Sequence, residues 1–132
     1  MEGEVNLDRL CAEYGYEFAE QTKKACTAKR AEVLITKALS VLQEQGLYAF
    51  VLFCRSRSSD EKEAAEKIED LTKKLLKELK FIDNGDLLDE LRRDGGLLTR
   101  LDDLMLAINI LEKSLIYARF HAKAMKEAGE MK

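Results

Sequence analysis

Residues 99–125, TRLDDLMLAINILEKSLIYARFHAKAM, decide the fold class. Leu101, Leu104, Ile108, Leu111, Leu115, Ala118, Ala122 and Met125 recur in alternating three- and four-residue steps, the spacing of a helix laid against a core. A second row, Leu106, Ile110, Tyr117 and Phe120, widens the apolar surface beyond one seam. Such a helix is expected to lie centrally or to offer its extra face to a partner. Thr99 with Asp102 three residues later reads as a capping box that opens it.

Working back from this helix, each earlier segment also reads as helical. Asp83-Asn-Gly85 marks a turn, and a short helix from about Asp86 to Arg93 ends at Gly95-Gly96. Before it, Ala64, Ile68, Leu71, Leu75 and Leu79 form the seam of a helix running to about Phe81, opened by a capping box of Ser58 and Glu61. The pairs Glu63–Lys67, Glu69–Lys73 and Asp70–Lys74 have the i,i+4 spacing of a solvated, ion-paired face. Leu47 to Cys54 is apolar on every side, and a lone strand there would leave its backbone groups unpaired, so it reads as a short buried helix. Ala31, Leu34, Ile35, Ala38, Val41 and Leu42 share one helical face that stops at Gly46. At the N-terminus, Asn6 caps a helix with Leu7, Leu10, Cys11, Tyr14, Phe18 and Ala25 along one stripe. Near Cys26–Ala28 the chain either turns or continues, with no glycine or proline to decide. The expectation is an all-α, single-domain bundle of five to six helices over residues 1–132, closed by a long C-terminal helix.

Composition narrows the function. Apolar residues make up 46% and charged residues 36%, and the longest apolar run is far short of the roughly 20 residues a membrane span needs. The acidic opening MEGEVNLDRL has no apolar core, which predicts a cytoplasmic protein. Cys11, Cys26 and Cys54 show no CxxC spacing and read as small buried hydrophobes. Bridges do form inside hyperthermophiles, which leaves a Cys11–Cys26 disulfide open. His121 is the only histidine. Arg119, the arginine beside it, is too near for the Arg-x4-6-His spacing of helical RNA-cleaving proteins, and Ala118 denies it a Glu-x-x-His metal motif. Asp102-Asp103 and Asp89-Glu90 suit helix starts, and Gly95-Gly96 has no phosphate-loop lysine. The residues therefore predict no catalytic set, no metal and no cofactor.

Charge is unevenly spread beneath a net −3. Residues 1–18 hold Glu2, Glu4, Asp8, Glu13 and Glu17 against Arg9 alone. Residues 19–37 hold Lys23, Lys24, Lys29, Arg30 and Lys37 against Glu20 and Glu32, and residues 113–127 hold Lys113, Arg119, Lys123 and Lys126 against Glu127. Lys23, Arg30 and Lys37 are seven apart and would share a face on a continuous helix, while Arg119, Lys123 and Lys126 share a face of the last one. Arg55 and Arg57 could extend either stripe. Such stripes suit tracking of a nucleic-acid backbone, with Tyr48 or Tyr117 as candidate base-stacking rings.

Three stretches resemble the small α-helical subunit of the type III-B CRISPR (Cmr) RNA-targeting complex. They are Ala12-Glu-Tyr-Gly-Tyr16 followed by Lys23-Lys24; Gln45-Gly-Leu47 leading into Ala49-Phe-Val-Leu-Phe53; and Thr99-Arg100 opening a long last helix that closes with Arg119-Phe120 and alanines. The chain departs from that family in having no proline and in reading LIYARF over residues 115–120, without the family's tryptophan. The resemblance implies a non-catalytic bundle that stacks along the effector backbone in antiviral defence, with other Cmr subunits, guide RNA and target RNA as partners. It implies Lys23, Lys24, Arg30, Lys37, Arg119 and Lys123 as RNA contacts. The competing expectations are a small subunit of a related type III-A or type I effector, and a self-associating helical adaptor that binds no nucleic acid.

Overall fold

The structure, a computed structural model, describes residues 6–130 and is all-α. Six α-helices follow in order: α1 Leu7–Ala25, α2 Ala28–Gln45, α3 Leu47–Ser56, α4 Lys62–Glu78, α5 Leu87–Arg92 and α6 Leu101–Glu130. Single 3₁₀ turns, Ser59–Glu61 and Leu97–Thr99, precede α4 and α6. Glu2 and Glu4 lie outside the described residues.

α6 is the central element, with α1 on one side and α2 on the other. Cys11 meets Ile110, Gly15 meets Ser114 and Ala118, and Tyr16 meets His121, so α1 and α6 run parallel. Gln43 reaches Glu112 at 2.7 Å and Glu32 reaches Lys126 at 2.9 Å, so α2 runs antiparallel to α6. Phe18, Leu34, Ile35, Phe50, Ile68, Leu75, Leu91, Leu111 and Leu115 fill the core between these three helices and α3–α5.

Close approach of α1 to α6 rests on small residues at four-residue spacing: Cys11, Gly15 and Ala19 face Ser114, Ala118 and Ala122, all buried. A Cβ on Gly15 would sit 2.5 Å from Tyr117 Cβ and 3.1 Å from the Ser114 carbonyl oxygen. Ser114 satisfies its buried hydroxyl on the Ile110 carbonyl at 2.8 Å, so the seam carries no orphaned donor there.

The chain breaks between α1 and α2 without glycine or proline. Cys26 takes φ −149° and ψ −123°, and Thr27 then caps α2 by accepting from the Arg30 N–H at 3.1 Å. Asn6 caps α1 in the same way through Arg9 N–H. Gly46, at φ +94°, ends α2 and turns directly into α3, a conformation that favours glycine. In α3, Leu47, Phe50, Val51 and Cys54 are buried but Leu52 is exposed, so the segment is buried on one side and not all round.

Several local expectations fail where tertiary partners compete. Ser58 makes no side-chain capping bond: the Glu61 N–H goes to the Ser58 carbonyl at 3.2 Å in a 3₁₀ turn, and the Glu61 carboxylate pairs with Lys37 at 3.4 Å and Arg57 at 3.6 Å. Among the described residues none of the three expected i,i+4 pairs on α4 closes within 4.0 Å; Glu69 binds Arg55 of α3. α4 ends at Glu78, with Lys80 in the left-handed region and the Phe81 N–H on the Leu76 carbonyl at 2.9 Å. Thr99 donates to the Gly96 carbonyl at 2.7 Å rather than boxing with Asp102, and α6 opens when the Arg100 carbonyl accepts from Leu104. The buried row of α6 is Ala107, Ile110, Leu111, Ser114, Leu115, Ala118 and Ala122. Leu101, expected in the seam, is 68% exposed. The three cysteines are free thiols, so no Cys11–Cys26 bridge forms.

Glu90 organises the loop between α4 and α6. Its Oε1 accepts from the Asp83 N–H at 2.8 Å and from Arg93 Nε at 3.4 Å. These bonds, the Asp83 one first, hold its carboxyl below the ordinary value of 4.5.

Two measurements follow from this packing. Gly15→Ala should destabilise the protein by about 1–3 kcal/mol through overpacking, although alanine ordinarily favours a helix by about 1 kcal/mol. Gly129→Ala, in α6 with nothing within 4 Å of the added Cβ, should be neutral or slightly stabilising. Urea midpoints of the two variants decide this, and a stabilised Gly15→Ala contradicts the close crossing. The second concerns acid. Because the folded pKa of Glu90 is depressed, its stabilisation is complete above about 4.5 and is lost as pH falls through the lower folded value. Glu90→Gln should therefore be less stable than the natural chain near neutrality, and the gap should close on acidification.

Candidate nucleic-acid interface

The six cations expected to contact RNA fall into distinct settings. Arg30 and Lys37 stand on the side of α2 that faces the Ser59–Glu61 turn, and with Thr27, Lys29, Val33 and Glu61 they line a cleft of about 350 Å³. Both have acidic partners: Arg30 Nη2 lies 3.3 Å from Asp60, and Lys37 Nζ lies 3.4 Å from Glu61. Arg119 and Lys123 sit one turn apart on α6, Lys123 exposed and Arg119 half-buried. Lys23 and Lys24 are exposed in the last turn of α1, where cations suit the helix dipole.

The break at Cys26–Thr27 removes the continuous helix on which Lys23, Arg30 and Lys37 would have aligned. Lys126, expected to continue the stripe of Arg119 and Lys123, turns to Glu32 of α2. Arg55 is likewise spent on structure: its guanidinium spans Glu69 and Asp86, both at 2.8 Å, tying α3 to α4 and to the cap of α5. These carboxylates raise its pKa further. Arg57 stacks over Phe53 at 4.3 Å and pairs with Glu61, so neither arginine extends a basic stripe.

Seven of the eight arginines thus lie within 4.0 Å of a carboxylate. Among the described residues Arg119 has no such partner and lies instead by the Phe120 ring, 5.8 Å from the guanidinium carbon. Among the described residues Lys23, Lys24 and Lys123 have no carboxylate in that range either. A cation free of internal acids retains its field for an external anion, whereas a paired one must give up an existing contact. Electrostatics therefore separates the six candidates into four open cations and two engaged ones.

Both tyrosines expected to stack on bases are occupied by contacts within the chain. Tyr48 accepts from Arg92 Nη1 at 2.8 Å, and Tyr117 donates to Asp8 at 3.0 Å. Asp8 is also 2.7 Å from Lys113, and that ammonium together with Tyr117 holds its carboxyl below the usual range. The most exposed ring is Phe120, at 63% and next to Arg119, with Tyr16 at 46%. Tyr117, Phe120, His121 and Ala124 line a shallow pocket of about 200 Å³, with Tyr16 packed edge-on against His121 at 5.8 Å. The second apolar row of α6 divides: Ile110 is buried, whereas Phe120 shares an outward helical phase with Lys123.

Elsewhere, a concavity of about 580 Å³ is lined by Cys54, Arg55, Arg57, Lys62, Glu66, Glu69 and Asp70. Burial pushes the Cys54 thiol up to about 12, so it is protonated at neutral pH. Among the described residues no group of three or more His, Cys, Asp or Glu is placed to hold a metal ion. Nor is any helix among them long and apolar enough to cross a membrane. Comparison with known proteins returns no match: no family model, no curated protein and no solved structure is similar to this chain.

Proposed function

We propose that the chain is the non-catalytic small subunit of a type III-B CRISPR RNA-targeting complex, where it stacks along the effector backbone and helps hold guide and target RNA. The resemblance of three stretches to that family supports the assignment. The observation that supports the RNA contact is that, of the six candidate cations, Lys23, Lys24, Arg119 and Lys123 have no carboxylate within 4.0 Å among the described residues. Arg30 and Lys37 then serve the contact between α2 and the start of α4. A cytoplasmic site of action and the absence of chemistry belong to the same proposal.

Exposed apolar residues at the start of α6 favour a second reading. Leu101, Met105 and Leu106 are 68%, 56% and 42% exposed, with Leu7 of α1 nearby across a small apolar pocket. In the complex this end would seat a neighbouring subunit; in a self-associating adaptor it would seat a second copy.

The test is binding of a fluorescent single-stranded RNA at two salt concentrations, with light scattering in parallel. Four cations on a single strand give a salt slope near about −2.8, since each phosphate contact contributes about −0.7. Lys23→Glu with Lys123→Glu should weaken binding and flatten the slope by about 1.4. Arg30→Glu with Lys37→Glu should leave the slope nearly unchanged. A tight dimer indifferent to RNA would support the adaptor instead.

A further inference from the structure

We propose that Phe120 is a base-stacking platform, so that the α6 face takes an unpaired nucleotide of single-stranded RNA rather than a duplex backbone. This rests on the RNA reading above and adds the position and chemical class of the contact. A large aromatic ring is costly to leave in water, and Phe120, at 63%, is the most exposed aromatic of the described residues. It sits between the two α6 cations that lack internal acids, Arg119 before it and Lys123 less than one turn after. The Arg119 guanidinium stands 5.8 Å from the ring centroid, near the outer limit of a cation–π contact.

The surroundings join a flat apolar wall to two neighbouring cations, Arg119 and Lys123. The shallow pocket of about 200 Å³ beside the ring is walled by Tyr117, His121 and Ala124, and Tyr16 meets His121 edge-on at 5.8 Å. A purine or pyrimidine laid on Phe120 would place its own phosphates within the field of Arg119 and Lys123. Charge complementarity thus selects a nucleotide over an apolar helix, which would bury Lys123 without a partner. A duplex keeps its bases stacked on one another and presents no free π-face to the ring.

The natural chain contains no tryptophan, so Phe120→Trp introduces a single reporter at the site. Titration of this full-length variant with a short single-stranded oligoadenosine at low salt should quench the indole emission in step with binding measured by anisotropy. A blunt RNA duplex should not quench it. Phe120→Ala should weaken single-strand binding about tenfold, Phe120→Tyr should retain it, and neither should alter the salt slope, because stacking releases no counterions. Binding with unchanged indole emission and an unweakened Phe120→Ala overturns the stacking proposal while leaving the cation reading intact. No binding by the natural chain at low salt overturns both. Self-association that Phe120→Ala abolishes would assign the ring to a second copy and also overturn the proposal.

Discussion

The arrangement depends on how closely α1 and α6 can approach at Gly15. With Ser114 and Ala118 opposite, the backbones meet where any larger side chain would push them apart. That contact fixes the parallel orientation of two helices separated by most of the chain, and it holds Tyr16 level with His121. It also determines which part of α6 remains outside. Once α1 and α2 cover its flanks, the residues left to solvent include Met105, Phe120 and Lys123. The candidate working surface is therefore a consequence of the packing on its other side.

Electrostatics then divides the remaining surface into structural and open charge. Arg55, Arg57, Arg30 and Lys37 all meet carboxylates of α4, the turn before it, or the α5 cap, and stitch the second half of the bundle together. Most of these pairs are exposed and individually worth little. The Arg55 fork, bidentate on Glu69 and shared with Asp86, has the geometry expected of a pair that contributes. Among the described residues the cations without a carboxylate within 4.0 Å include Lys23, Lys24, Arg119 and Lys123, and also Lys29 of α2 and Lys62, Lys74 and Lys77 of α4.

Much of the fold was legible because its signals are local. Asn6, with its side chain free to reach the Arg9 N–H, and Gly46, with its positive φ, end or begin helices by chemistry that short windows contain. Ser58 misled because the Glu61 N–H bonds the Ser58 carbonyl in a 3₁₀ turn, while the Glu61 carboxylate pairs with Arg57 beside Ser58 and with the distant Lys37. The phase of α6 misled for a geometric reason: a strict seven-residue seam drifts by about 20° per heptad on a straight helix. Over 30 residues Leu101 therefore leaves the core while Ile110 enters it. The basic stripe through Lys23, Arg30 and Lys37 required an unbroken helix, and the threonine at 27 was the unread sign of a break. The ladder Cys11, Gly15, Ala19 was equally present in the sequence, but its meaning appears only when the opposing Ser114, Ala118 and Ala122 are found beside it.

The proposed RNA contact on α6 is open to a direct test. Ultraviolet cross-linking of single-stranded RNA to the intact protein, with the modified peptides identified by mass spectrometry, locates that contact without any substitution. The adducts should concentrate on the α6 segment holding Arg119, Phe120 and Lys123. Adducts confined to the Arg30–Lys37 cleft, or none under conditions where binding is observed, would contradict it.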